Sequence, residues 1–320
     1  MNLPQFLTRT AVLSLAVFMA TSAAPAAQLS SGARTAIPHD VQQLVVIDYR
    51  AMQNSAIAMN LRGSVMPPEL QQFEKALTES GFNESHNVNE LAFATFRLGS
   101  SSESYETVGI AQGQLPTQEI LDGFRKKKVK VTAVRDSQVY PLAHTSMVLS
   151  FIDPSTMVFG SPDAVRRALD AHDGTGASIL TNEPLMDAMK SVDTEPLWSI
   201  LDPAGTRTMM KQVLGQAGPV TDFESVRSRL LVSSYGMNFQ HGVEFNLTVS
   251  TGDPFAAATI SGLLNAAVVV RKMSGSDEEK QALGATSIDS DSGRLSVHFA
   301  ASDEDFKALL RSSLFQGMLA

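Results

Sequence analysis

Two stretches of this sequence run through the same order of predicted elements: strand, two helices, hairpin, helix, hairpin, capped helix. In the first, QLVVIDY (43–49) is short, β-branched and apolar, as a buried strand is. A helical segment follows at 50–61, and Pro67-Pro68 opens a second helix. LAFATFRL and ETVGIAQGQ pair as a hairpin, and LPTQEILDGFRKKK is a helix with Thr117 as its N-cap. Further strands end at TMVFG, after which Ser161-Pro162-Asp163 starts a helix. In the second stretch PLWSILD answers QLVVIDY, and two helices lead to a hairpin that turns at His241-Gly242. FAAATISGLLNAAVVVRKM is a long helix; after the inserted SDEEKQALGA a second hairpin ends at Ser302-Asp303-Glu304, which caps the last helix. Element order repeated in this way is the mark of an internal duplication, weak here in residue identity.

The expected fold is therefore α+β: two similarly patterned halves, each an antiparallel sheet with helices packed on one face. The first half spans 28–175 and the second 196–320, with the Gly-containing, polar stretch 176–195 between them as a linker region.

The segment FIDPSTMVFGSPDAVRRALDAHDG (151–174) shows how much of the polar pattern serves the fold. Asp153 and Pro154 suit the first two positions of a turn, and Gly160 ends the strand. Ser161 suits an N-cap, Pro162 the first helical position, and Asp163 the positive end of the helix dipole. Val165, Ala168 and Leu169 form the inward stripe, leaving Arg166 and Arg167 outside.

Residues 1–27 read as a secretory signal peptide. Arg9 supplies the positive charge, Ala11–Ala20 the apolar core, and the small residues of TSAAPAAQ a cleavage site within Ala24–Gln28. The chain has no cysteine, which excludes disulfides, thiolate metal sites, cysteine nucleophiles and bacterial lipid acylation together. About 290 residues remain after cleavage, enough to hold a fold together by burial alone. The formal charge of −8 falls to −9 once Arg9 is removed, so the field of the whole chain does not draw in nucleic acid. The basic run Arg125-Lys126-Lys127-Lys128 with Lys130 reads as solvated charge at a helix end.

No pattern of established chemistry emerges. There is no Gly-x-Ser-x-Gly elbow, and Ser161, the one serine between a strand and a helix, is accounted for by capping. The six histidines are scattered without a partner three or four positions away. Asp289-Ser290-Asp291-Ser292-Gly293 imitates the start of a calcium loop, but Ala300 stands where the bidentate glutamate belongs. Gly109 and Gly113 lie inside a strand and suit close backbone packing, not a phosphate cradle. The uncharged run Phe255–Val270 is shorter than the ~20 residues of a membrane span and reads as a buried central helix. No catalytic, cofactor-binding or metal-binding residue, and no cofactor, is assigned.

The combination of the leader with IPHDVQQLVVIDY, VGIAQGQ, TMVFGSPDAVRRALDA and SIDSDSGRLSVHFAASDEDF resembles uncharacterised exported proteins of Acidobacteria-type soil bacteria. The resemblance implies export and architecture, and no activity. The functional expectation is an exported, periplasmic or secreted, non-enzymatic binding protein for a protein partner or an apolar small molecule, without nucleic acid and without a stable membrane span once the leader is cut. The 14 methionines, among them Met52, Met59, Met66, Met209 and Met210, motivate the apolar ligand. The alternatives are an envelope hydrolase whose site is assembled from distant residues, and a structural envelope protein.

Overall fold

A computed structural model describes residues 28–65, 75, 78, 87–97, 105–142, 145–215 and 223–310. The leader region and the helix expected after Pro67-Pro68, but for Lys75 and Thr78, lie outside the described residues. The first half comprises α1 (Ser31–Thr35), β1 (Val41–Asp48), α2 (Tyr49–Gln53), α3 (Ala56–Val65), β2 (Val88–Arg97) and β3 (Tyr105–Gly113). It continues with α4 (Thr117–Lys126), β4 (Thr132–Val134), β5 (Ser137–Pro141), β6 (Val148–Asp153), β7 (Thr156–Gly160) and α5 (Pro162–His172). A 3₁₀ turn (Ile179–Thr181) and α6 (Glu183–Lys190) follow. The second half holds β8 (Leu197–Leu201), α7 (Pro203–Gly215), α8 (Phe223–Arg227), β9 (Leu230–Asn238), β10 (Val243–Thr251) and α9 (Pro254–Ser274). It closes with α10 (Asp277–Gly284), β11 (Thr286–Asp291), β12 (Arg294–Ala301) and α11 (Asp303–Leu310).

The fold is α+β, and the two halves share one open antiparallel sheet of 12 strands in the order β11-β12-β10-β9-β8-β1-β2-β3-β7-β6-β5-β4. The seam is the antiparallel pair β1–β8, in register from Gln43↔Leu201 to Ile47↔Leu197. Outward from it, β1-β2-β3-β7-β6 on one side matches β8-β9-β10-β12-β11 on the other, so strand order repeats; the β4–β5 hairpin extends the first half only.

Alternation along the seam strands sends Leu44, Val46, Trp198 and Ile200 to one face, all at most 1% exposed. There they pack with Ala92, Ala94 and Phe96 of β2, with Val165 and Leu169 of α5, and with Ile179, Leu185 and Met189. The last three belong to the stretch 176–195, which is accordingly a strap over the seam and not a free linker. Asn182 caps α6 by accepting the Leu185 N–H, Pro184 sits in its first turn, and Pro38 bridges Ser178. The polar composition of 176–195 conceals these apolar positions because they are few and each is fully used.

On the opposite face, α4 covers the first half through Ile120 and Phe124, which stack with Tyr140, Met157 and Phe159. There α7, α8 and α9 cover the second half through Met210, Phe223, Val226, Ile260 and Leu264. A fourth cluster joins α2, α3 and α11 to the far ends of β8, β9 and β10. The first half thus carries helices on both faces, whereas Asn246, Ser296 and His298 leave the second half's other face polar and open.

The segment 151–174 builds as its residues dictate. The Asp153 carboxylate accepts the Ser155 N–H at 2.7 Å in the β6–β7 turn. The Ser161 hydroxyl accepts the Ala164 N–H at 3.1 Å, with Pro162 in the first turn. Ser302 caps α11 in the same way through the Asp305 N–H at 3.2 Å. Two local expectations change. Thr117 is the first residue of α4 after Pro116, and its hydroxyl donates to the Pro154 carbonyl at 3.2 Å instead of capping. Arg167 is not a free outer residue: it binds both oxygens of Asp40 at 2.8 and 2.6 Å and stacks 4.2 Å over the Phe96 ring, tying α5 to the start of β1.

At the other end of β1, Asp48 lies opposite Glu90, which accepts a hydrogen bond from Gln112 at 2.9 Å while Gln112 accepts the Ser30 N–H at 2.8 Å. Burial raises the Glu90 carboxyl above its ordinary value; the Gln112 bond opposes this, the Asp48 charge adds to it, and Arg50 opposes it.

Two outcomes follow from these local assignments. Ser161→Ala lowers the unfolding free energy by ~1 kcal/mol through the lost cap, measured by denaturant titration, without altering the fold. Glu90→Gln melts at a higher temperature than the parent at neutral pH. Because the folded Glu90 value is raised, the cost of its charge is absent below the ordinary value of 4.5 and sets in as pH climbs through the raised one. The gap between the two proteins therefore closes in acid, and thermal melts from pH 4 to pH 8 read it directly.

Candidate functional site

The residues that suggested chemistry are placed in structural roles. His172 Nδ1 meets the Thr35 hydroxyl at 2.9 Å, joining the end of α5 to α1, and His39 Nδ1 meets the Thr181 hydroxyl at 2.9 Å, joining the approach to β1 to the 3₁₀ turn. Neither pair has a carboxylate hydrogen-bonded to the ring among the described residues, so neither is a nucleophile, base and orienter in series. His298 Nδ1 meets the Asn246 carbonyl oxygen at 2.8 Å across β10 and β12; His241 stands exposed at the hairpin turn, and His86 and His144 lie outside the described residues. Asp289–Gly293 is the exposed β11–β12 hairpin, in which Gly293 takes φ 83°. A Cβ on Gly109 would sit 2.1 Å from the Phe159 ring, and one on Gly113 2.0 Å from the Asn87 carbonyl: both glycines serve close packing. Among the described residues no group of three or more His, Asp or Glu is arranged to hold a metal ion.

Of the five methionines that motivated the apolar ligand, Met52 is 2% exposed and Met210 is fully buried, Met59 and Met209 are half-buried, Met209 at the edge of the same cluster as Met210, and Met66 lies outside the described residues. Met52 and Met210 fill space between helices and sheet.

The feature that sequence reasoning read in the opposite sense is α9. It is 21 residues long, capped at its start by Asp253, whose carboxylate accepts the Ala256 N–H at 2.9 Å. Its inner side, Ala256, Ala257, Ile260, Ser261 and Leu264, packs on the sheet. Yet only 28% of its apolar 18-residue window is buried. In the C-terminal half Ala267, Val268 and Arg271 are half-buried, and the helix carries Phe255 at 69%, Val269 at 58%, Val270 at 55% and Met273 at 82% exposure. These are four of the largest exposed apolar side chains among the described residues, collected on one element. The helix is apolar nearly all round, so its sequence alone could not say which side the sheet would take.

The exposed positions Phe255, Ala258, Gly262, Ala266, Val269 and Met273 recur at spacings of three and four, forming one continuous outward stripe. Its middle is made of small residues, and a Cβ on Gly262 would meet nothing within 4 Å. Large side chains stand at both ends, so the stripe is a shallow trough between two apolar anchors. Arg229, ion-paired with Asp253 at 2.8 Å, lies 6.0 Å from the Phe255 ring centre at one end, and Arg271 and Lys272 occupy the last turn at the other. No acid occurs between Pro254 and Ser274.

No protein-family model matches the chain, and no curated protein sequence does. Among solved structures the fold is similar to TP0453. Crystal form III of that protein superposes with a TM-score of 0.50 at 11% identity, covering 87% of this chain and 96% of that one. Crystal form I does so with a TM-score of 0.48 at 12% identity, covering 88% and 97%. At such identity the likeness is one of fold: the chain shares its overall α+β architecture with TP0453 along most of its length.

Proposed function

We propose that the protein is an exported, non-enzymatic binding protein, periplasmic or secreted, that receives a protein partner on the outer stripe of α9. The observation that carries this reading is the concentration of Phe255, Val269, Val270 and Met273 on one solvent-facing helix side. A contiguous exposed apolar surface on a folded protein is costly to keep unless something covers it. The leader-like composition of residues 1–27 supports export.

The chemistry of the stripe describes its partner. Phe255 and Met273 are 18 positions apart, or ~27 Å of helix at 1.5 Å per residue. The small central residues admit the close approach of another backbone, and Arg271 and Lys272 favour acids at the end of the partner that meets them. An amphipathic helix with an apolar stripe of about five turns and acidic residues at one end fits both features. The burial of Met52 and Met210 takes two of the named methionines out of any ligand surface, and the two-membered His–hydroxyl pairs give no support to a hydrolase.

Gly262→Tyr tests this directly, because the fold offers that side chain open space while the trough is filled. With a photo-cross-linking residue at Val270 in the full chain, produced in its native cells, the parent forms an adduct with one protein. The cross-linked peptide of that protein is an amphipathic helix with acids at one end. In Gly262→Tyr the adduct falls at least tenfold at an unchanged melting temperature. An adduct that persists in Gly262→Tyr, one confined to a second copy of this chain, sedimentation with phosphatidylglycerol vesicles in place of a protein adduct, or no adduct at all contradicts the reading.

A further inference from the structure

The outward side of α9 has a shape as well as a composition. The 18 positions that separate Phe255 from Met273 are five turns at 3.6 residues per turn, so one stands directly above the other on the helix. Gly262 lies seven positions after Phe255 and Ala266 seven before Met273, both exposed and both within ~20° of the same line. The stripe therefore runs parallel to the helix axis, with a low stretch from Ala258 to Ala266, ~12 Å long, between two raised ends. Thr259 and Asn265 beside the low stretch bond back to their own helix, at the Phe255 carbonyl (2.9 Å) and the Ser261 carbonyl (3.0 Å), so neither demands a polar group from what docks there.

A helix that touches both raised ends must stay beside α9 for their full separation. Packing near −50° carries the two axes ~10 Å apart sideways at either end, too far for contact, whereas packing near +20° keeps them within ~5 Å. Only the second class reaches both Phe255 and Met273. Over Ala258, Gly262 and Ala266 the backbones come closest, and a Cβ on Gly262 meets nothing within 4 Å, so the partner has to bring its own bulk to the middle. Opposite Phe255 and Met273 it has to be small, or the ends hold the helices apart. A second copy of α9 fails both requirements: in either direction it sets large side chains against large at the ends and leaves two low stretches facing each other across a void.

Direction follows from the two ends. The Met273 end is the negative pole of the α9 dipole and carries Arg271 and Lys272. The acids that follow it in sequence are engaged: Asp277 pairs with Lys280 at 3.2 Å, Glu278 is hydrogen-bonded by Ser276, and Glu279 is buried. At the Phe255 end Arg229 is already paired with Asp253. The first turn of a helix is its positive pole and the place where its acids are most favourable, so it complements both the dipole and the two cations at the Met273 end. On the footing that a helix docks at α9, we infer that it lies antiparallel to α9 and nearly aligned with it, its acidic first turn over Arg271 and Lys272, bulky apolar residues at its middle and small residues opposite Phe255 and Met273.

The test places a photo-cross-linking residue at Ala258 or at Val270 of the full chain in its native cells and maps both adducts on the captured protein. The two sites fall on one helical segment about 12 positions apart, the Val270 site nearer that segment's N-terminus and its acids. Bulky apolar residues lie between the sites and small ones beyond both. Lys272→Glu, which melts as the parent does, gives about fivefold less adduct. The reverse order, both sites within one turn, small residues between bulky ends, or an undiminished adduct in Lys272→Glu overturns the inference while the docking of a helix stands. No adduct from either position, or one that persists in Gly262→Tyr, removes the docking itself and this inference with it.

Discussion

Five residue pairs between β1 and β8 hold this molecule in one piece. Without them each half would end in an exposed strand edge, the surface that sheet proteins guard most closely. Pairing the two edges removes both at once and leaves only β4 and β11 at the margins. The first is three residues long, and the second carries Asp289 and Asp291, so neither invites further pairing. The seam is also well buried, with Trp198 against Val46 beneath the strap of residues 176–195. Hydrogen bonding and burial thus coincide there, which gives a chain without cysteine a central anchor.

The surface features of interest are consequences of that junction. Because strand order repeats outward from the seam, the helices after β3 and β10 occupy corresponding positions on the same face, as α4 and α9. The first is short and strongly two-sided, with Arg125 and Lys126 outside and Ile120 and Phe124 inside. The second is twice as long and apolar on both sides, so burying one side leaves the other bare. The final helices break the correspondence: α5 covers the face that bears Trp198, and α11 packs on the opposite one with α3. One arrangement used twice has thereby been loaded differently, with a two-sided helix on the first half and an apolar trough on the second.

Much of this was legible in the residues, and the limit has a physical cause. Most signals that act within a few residues read correctly: Asp153 and Pro154 in the turn, Ser161 and Ser302 as caps, His241-Gly242 at the hairpin, with Thr117, drawn to the distant Pro154 carbonyl, as the exception. Those interactions are complete within one turn of chain. Strand count and class followed from the same local periodicity. What could not be read was anything decided between distant elements. Gln43–Ile47 looks like any buried strand, and nothing local says that its second neighbour is 197–201. Arg167 looks solvated until Asp40 and Phe96 arrive beside it, and α9 looks buried because apolarity states a preference without stating whether enough sheet exists to satisfy it.

The central claim is that the β1–β8 seam makes two repeated halves one cooperative unit. Native-state hydrogen exchange across a denaturant series measures this most directly, because it assigns an opening free energy to each amide. The seam amides of β1 and β8 are predicted to be among the slowest, and core amides of β2, β3, β9 and β10 to converge with them on one common global opening. Convergence on two separate values, one for residues 88–113 and another for residues 230–251, with the seam amides exchanging faster than either, would show that the halves unfold independently and contradict the account.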